Sequence, residues 1–185
     1  MRNKSIPRTV ALHFPYSRVK LTRTIPFTTM PKSILFIIPC GRFALSGVFR
    51  VMDYFPFLSK EGITCKVINY QSPTLYEWLY LKGGVHSFWN KKNYSTYLER
   101  AYALFKMLYI LLIAKRYDVI FIEKITPPQW WVRWLKKIND QIIFDIDDAV
   151  FTQFPERTQY LTKNARLVAA GSHFLLDYCR SINPK

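Results

Sequence analysis

Five short β-forming runs, four of them apolar and closed by proline, glycine or acidic residues, constrain this chain more than any other feature. Ser33-Ile-Leu-Phe-Ile-Ile-Pro39 stops at Pro39 and Gly41, and Ile63 to Tyr70 is rich in β-forming residues. Tyr117-Asp-Val-Ile-Phe-Ile-Glu123 and Gln141-Ile-Ile-Phe-Asp-Ile-Asp147 both end in acids, and Arg166-Leu-Val-Ala-Ala170 runs into Gly171. Strands that are apolar on successive residues are buried on both faces, which is the condition of strands in a parallel sheet.

Helical patterns fill the gaps. One helix is expected from about Ser46 to Lys60, with Gly62 as its C-cap. Pro73 and Gly83-Gly84 mark residues 71–93 as an irregular insertion or short helix. Thr96 and Glu99 have capping-box spacing, and Leu98, Ala101, Phe105, Leu108 and Leu112 recur at helical intervals, predicting a long amphipathic helix to about Arg116. Further helices are expected over Pro128–Lys137, with proline in the first turn, over Glu156–Asn164, and from a Ser172 cap to about Asn183. Buried strands alternating with helices specify an α/β fold: a Rossmann-like parallel sheet of about five or more strands with helices on both faces.

The 185 residues are enough for one such domain and not for two. The first 32 carry seven basic residues and no acid, with prolines at 7, 15, 26 and 31 and no periodicity. They form an irregular basic extension, by composition either a transit peptide or sequence ahead of a true start at Met30. Residues 33–185 make up the domain. The whole chain stands at +15, but without the extension the balance falls to 20 basic against 12 acidic residues, so no nucleic-acid partner is expected.

Cys40, Cys65 and Cys179 are too scattered for a disulfide framework or a structural zinc site, and point to buried thiols in a reducing, cytoplasmic setting. The longest apolar stretch, Ala101 to Ala114, is interrupted by Lys106 and is shorter than the roughly 20 residues a spanning helix needs.

In open parallel sheets ligands gather at the carboxyl ends of strands, so three strand ends supply the candidate site. After the first strand come Gly41, Arg42, Phe43, Ser46 and Gly47, with Arg50 one turn into the helix. The glycine pattern is not a dinucleotide fingerprint. Either this is a plain strand-to-helix turn, or its backbone amides meet a polar ligand. Glu123 and Lys124 close the third strand and either pair with each other or face a substrate. The fourth strand ends in Asp145, Asp147 and Asp148. Three carboxylates within four residues repel one another unless a cation, a basic side chain, a helix N-terminus or a substrate hydroxyl compensates. Alternation puts Asp145 and Asp147 on one side, Asp147 nearer the ligand end, and leaves Asp148 to cap the turn or meet Lys124 or Arg50.

Asp145-Ile-Asp147 is short of the haloacid dehalogenase motif, which needs a first-strand position and further motifs far downstream. It also permits a metal-dependent GT-A-like reading, in which Asp-x-Asp holds a nucleotide-sugar. The order of motifs over the whole region from Ser33 resembles the N-terminal domain of a glycosyltransferase of family 4, of the GT-B fold. The resemblance rests on the Gly41–Gly47 loop, Gly47-Val-Phe-Arg50, Leu58-Ser-Lys-Glu-Gly62, Tyr117 to Lys124, Phe144-Asp-Ile-Asp-Asp-Ala149 and Val168-Ala-Ala-Gly-Ser172.

It implies transfer of a sugar, with retention, from a nucleotide-sugar to a sugar or lipid-linked acceptor, in glycan, glycolipid or polysaccharide synthesis. The acceptor would be served by this domain, and the donor by a second domain after Lys185. No metal or other cofactor is implied. Asp147 stands where many members carry histidine, a departure shared by a subset with Asp-x-Asp-Asp, and becomes the candidate catalytic residue. Gly41, Arg42, Phe43, Ser46, Gly47, Arg50, Glu123, Lys124, Asp145 and Asp148 become acceptor-binding candidates. The 185 residues alone are expected to lack turnover, and a non-catalytic Rossmann-like binding module stays open as the other class. Gln129-Trp-Trp-Val-Arg-Trp-Leu-Lys-Lys137, together with Trp78, Trp89, Lys91 and Lys92, mixes aromatics with cations, as at a peripheral contact with the anionic inner face of a membrane. The plain alternative is that Trp131 and Leu135 pack on the sheet.

Overall fold

The computed structural model describes residues 30–41, 45–72 and 94–184. The chain divides into Met1–Pro31 and Lys32–Lys185, and the second unit holds the fold. Its strands are β1 (Ser33–Ile38), β2 (Thr64–Asn69), β3 (Val119–Glu123), β4 (Ile142–Ile146) and β5 (Leu167–Ala170). All pair in parallel, in the order β2-β1-β3-β4-β5. This is a doubly wound sheet whose winding reverses between β1 and β3, so its switch point lies there. At the amino edge the Asp118 carboxylate accepts from the Lys32 and Ser33 amides at 2.7 and 2.9 Å, tying the start of β3 to that of β1.

Alternation along β1 sends its side chains into two cores. Phe36 and Ile38 pack with Val51, Met52, Phe55 and Leu58 beneath α1 (Leu45–Arg50) and α2 (Phe55–Lys60). Leu35 and Ile37 join the larger core under α3 (Tyr94–Ile113), α4 (Gln129–Ile138), α5 (Pro155–Asn164) and α6 (His173–Ile182). Within it the fully buried Trp131 donates its indole N–H to the Met107 carbonyl at 2.9 Å, joining α4 to α3.

Three expectations need correction. The single helix over Ser46–Lys60 is two short helices with a 3-10 turn, Met52–Tyr54, between them. Pro56 is the cause: it donates no amide hydrogen, and its ring clashes with the carbonyl four residues back, so the helix restarts with proline in its first turn. The long helix begins at Tyr94, ahead of Thr96, and the side chains of Thr96, Leu98 and Glu99 lie outside the described residues. Its sheet-facing residues are Met107, Ile110 and Ile113, while Phe105, Leu108 and Leu112 face outward. Pro128 is the N-cap of α4 rather than part of its first turn. The expected irregular segment, with Trp78, Trp89, Lys91 and Lys92, falls largely on residues 73–93, outside those described.

Gly62 closes α2 as the sequence predicts. It sits at φ +75°, its amide donates to Ser59, and the Ile63 amide donates to Leu58, a Schellman arrangement. An added Cβ would meet nothing within 4 Å, so the demand is on backbone conformation alone. Gly62→Ala is expected to cost about 1 kcal/mol in urea unfolding, the penalty of a β-carbon in the left-handed region.

Candidate functional site

Glu123 and Asp145 end neighbouring strands at aligned positions, so both carboxylates project from one face of the sheet, the α1 side. Both are buried among apolar side chains, where an uncompensated charge is costly. One arginine reaches them. Arg50, at the end of α1, grips Asp145 with both ends of its fork: Nε donates to Oδ2 at 2.6 Å and Nη2 donates to Oδ1. The acid raises the Arg50 pKa and keeps the guanidinium charged. Burial raises that of Asp145, and Arg50 holds it back in part.

Among the described residues no cation forms an ion pair with Glu123. Neither of its oxygens is hydrogen-bonded. Burial pushes its pKa up to about 7; the charges of Asp147 and Asp145 add to the rise, while Ser46, a hydroxyl close by on α1 without an ordinary hydrogen bond, and Lys124 restrain it. With Arg50 engaged by Asp145, burial is what favours the protonated form of Glu123.

Lys124 does not pair with Glu123. Residues adjacent on a strand face opposite sides, and here the backbone also turns: Lys124 adopts φ +58° and the Ile125 amide donates to the Glu123 carbonyl at 2.6 Å. Such a three-residue turn around a non-glycine residue is strained, and strain of this kind concentrates at ligand-bearing edges. The turn carries the ammonium to the end of β4, where it pairs with Asp148 and stands 3.8 Å from Asp147 Oδ1. Burial works against the Lys124 charge, but Asp148, Asp147 and Glu123 outweigh it and raise its pKa.

Asp147 follows the last residue of β4 and keeps a side chain 18% exposed. Its Oδ1, itself buried, has no hydrogen bond. Gly171, after β5, presses on it: a Cβ there would lie 3.0 Å from the Asp147 Cα and 3.3 Å from its Cβ. Since the close atom is backbone, Gly171→Ala is expected to displace Asp147 and cost about 1–3 kcal/mol in urea unfolding, the range for overpacking.

The structure thus brings Ser46, Arg50, Glu123, Lys124, Asp145, Asp147 and Asp148 to the carboxyl edge of the sheet. Gly47 is drawn on for packing, against Ile38 of β1, and Gly41 abuts Asn69 at the end of β2. Arg42 and Phe43 lie outside the described residues. Sequence reasoning missed Gly171 as a site residue and Asn69, whose buried Oδ1 lacks a partner. Burial pushes the thiols of Cys40 and Cys179 up to about 11, which leaves them poor nucleophiles. Among the described residues no three His, Cys, Asp or Glu side chains converge to hold a metal ion, and no helix is long and apolar enough to cross a membrane. No known protein family, no curated protein and no solved structure matches the chain.

Proposed function

We propose that this chain is the acceptor-side domain of a glycosyltransferase resembling family 4 of the GT-B fold. Its task in that reading is to hold a sugar or lipid-linked acceptor for transfer from a nucleotide-sugar. The observation that supports this is Asp147, at the carboxyl edge near the sheet's switch point, whose side chain is 18% exposed while its Oδ1 has no hydrogen bond. Asp147 accepts a hydrogen bond from an acceptor hydroxyl. Arg50 and Lys124 neutralise the remaining acids, so the edge presents acceptor groups without a large negative field.

Saccharide binding to the purified chain, followed by amide chemical shifts over a panel of free and lipid-linked sugars, tests the reading. Binding should perturb residues around Asp147 and Gly171. Asp147→Asn should weaken it by at least about tenfold, the loss of a hydrogen bond to a charged acceptor, without lowering the melting temperature. A chain that binds no saccharide, or an Asp147→Asn variant that binds as well as the parent, overturns the proposal.

A further inference from the structure

The outer side of α3 is apolar where a surface helix is ordinarily polar. Leu112 is 78% exposed and Phe105 64%, with Leu108 between them on the same stripe, directly away from the sheet-facing Met107 and Ile110. A second pair of exposed apolar side chains lies on α4. There Lys136 reaches Asn164 of α5 on one flank, at 3.1 Å, and helical spacing puts Trp130 and Trp134 on the opposite flank, toward α3. Both tryptophans are exposed, whereas Trp131, one residue away, is fully buried and belongs to the core.

Exposed cations flank this surface, with the acids Asp118 and Asp140 beyond the ends of the two helices. Lys115 and Arg116 just after α3 are exposed, as are Arg133 and Lys137 on α4, and Lys137 lies over the Trp134 ring at 4.9 Å. No acidic residue occurs on α4, and none follows Glu99 on α3. We infer that the α3–α4 face is a docking surface for an anionic lipid bilayer, with the leucine, phenylalanine and tryptophan side chains in the interfacial layer and the cations on the headgroups. The helices lie on the membrane rather than through it, since neither is long and apolar enough to cross. A second copy of the chain is the poorer occupant, because self-pairing of this face would set like charges against each other. This inference stands apart from the proposed sugar transfer, for the carboxylate site plays no part in it.

Vesicle flotation of the purified chain is the test, comparing phosphatidylcholine alone with phosphatidylcholine containing phosphatidylglycerol. The chain should float with the anionic vesicles and lose that association as salt rises. The basic first 32 residues would also be drawn to anionic vesicles, so charge attraction alone is no support. The double variant Phe105→Ser/Leu112→Ser keeps every charge and should bind at least about tenfold more weakly with an unchanged melting temperature. Undiminished binding by that variant overturns the inference, as does failure of the parent to bind anionic vesicles. A dimer in sedimentation equilibrium that the same substitutions dissociate also overturns it, by assigning the face to a second copy.

Discussion

Glu123→Gln is expected to stabilise the protein at pH 8 and to flatten its stability profile between about pH 4.5 and 7. The carboxyl's pKa rises on folding from 4.5 to about 7. A group whose folded pKa is raised contributes stability that is fully present below its unfolded pKa and is lost as pH rises through the folded one. At 1.36 kcal/mol per unit, ionising Glu123 therefore costs the parent about 3 kcal/mol by pH 8. Glutamine is neutral throughout and escapes that loss. Its own buried amide, short of partners, takes back about 1 kcal/mol, so the net gain at pH 8 is about 2 kcal/mol. At pH 4.5, where Glu123 is neutral in the folded protein and only half ionised in the unfolded chain, the two proteins should differ by little more than the amide penalty. Urea unfolding of both at pH 4.5 and 8 measures this, and taking the difference removes the pH dependence that the two proteins share. Equal pH dependence in parent and variant would show that Glu123 does not titrate in this window.

The same residue shows where sequence reading reaches and where it stops. All five strands were legible as short β-forming runs between helical patterns, and the continuous apolar character of β1, β3 and β4, which the structure buries, implied the parallel sheet. The Ser172 cap of α6 and the Gly62 cap of α2 were legible for the same local reason. The break before α2 was visible as Pro56, yet the apolar spacing of Val51, Phe55 and Leu58 runs through it and reads as one helix. The packing side of α3 was not legible: the helix is apolar around most of its circumference, so periodicity does not choose between Met107–Ile110 and Phe105–Leu108.

At the candidate site, the residue types and strand ends could be named from the sequence, but the partners could not. Arg50 and Asp145 are 95 residues apart, and only the sheet order brings α1 over β4. That Glu123 and Lys124 do not pair was within reach, since neighbours on a strand point to opposite faces. The alignment of Glu123 with Asp145 requires the register of β3 on β4, which no local pattern encodes.

The pairing that the sequence concealed also carries the largest expected loss. Arg50→Met should destabilise the protein by about 3–5 kcal/mol at pH 7, because it strands Asp145, whose side chain is only 3% exposed, beside a Glu123 that has no cation to share. Asp145→Leu should cost less, about 1–2 kcal/mol, because the 30% exposed Arg50 side chain can swing its guanidinium into water. The double variant Arg50→Met/Asp145→Leu should return to within about 1 kcal/mol of the parent, as apolar replacements of ion pairs do when they fill the same space. Lowering the pH should also relieve Arg50→Met selectively, since a protonated Asp145 no longer needs the partner it has lost. A double-mutant cycle by urea unfolding at pH 7, with Arg50→Met repeated at pH 4.5, reads all four values. If Arg50→Met costs less than about 1 kcal/mol, or if the two single losses simply add in the double variant, the Arg50–Asp145 fork is not what keeps two acids inside this sheet.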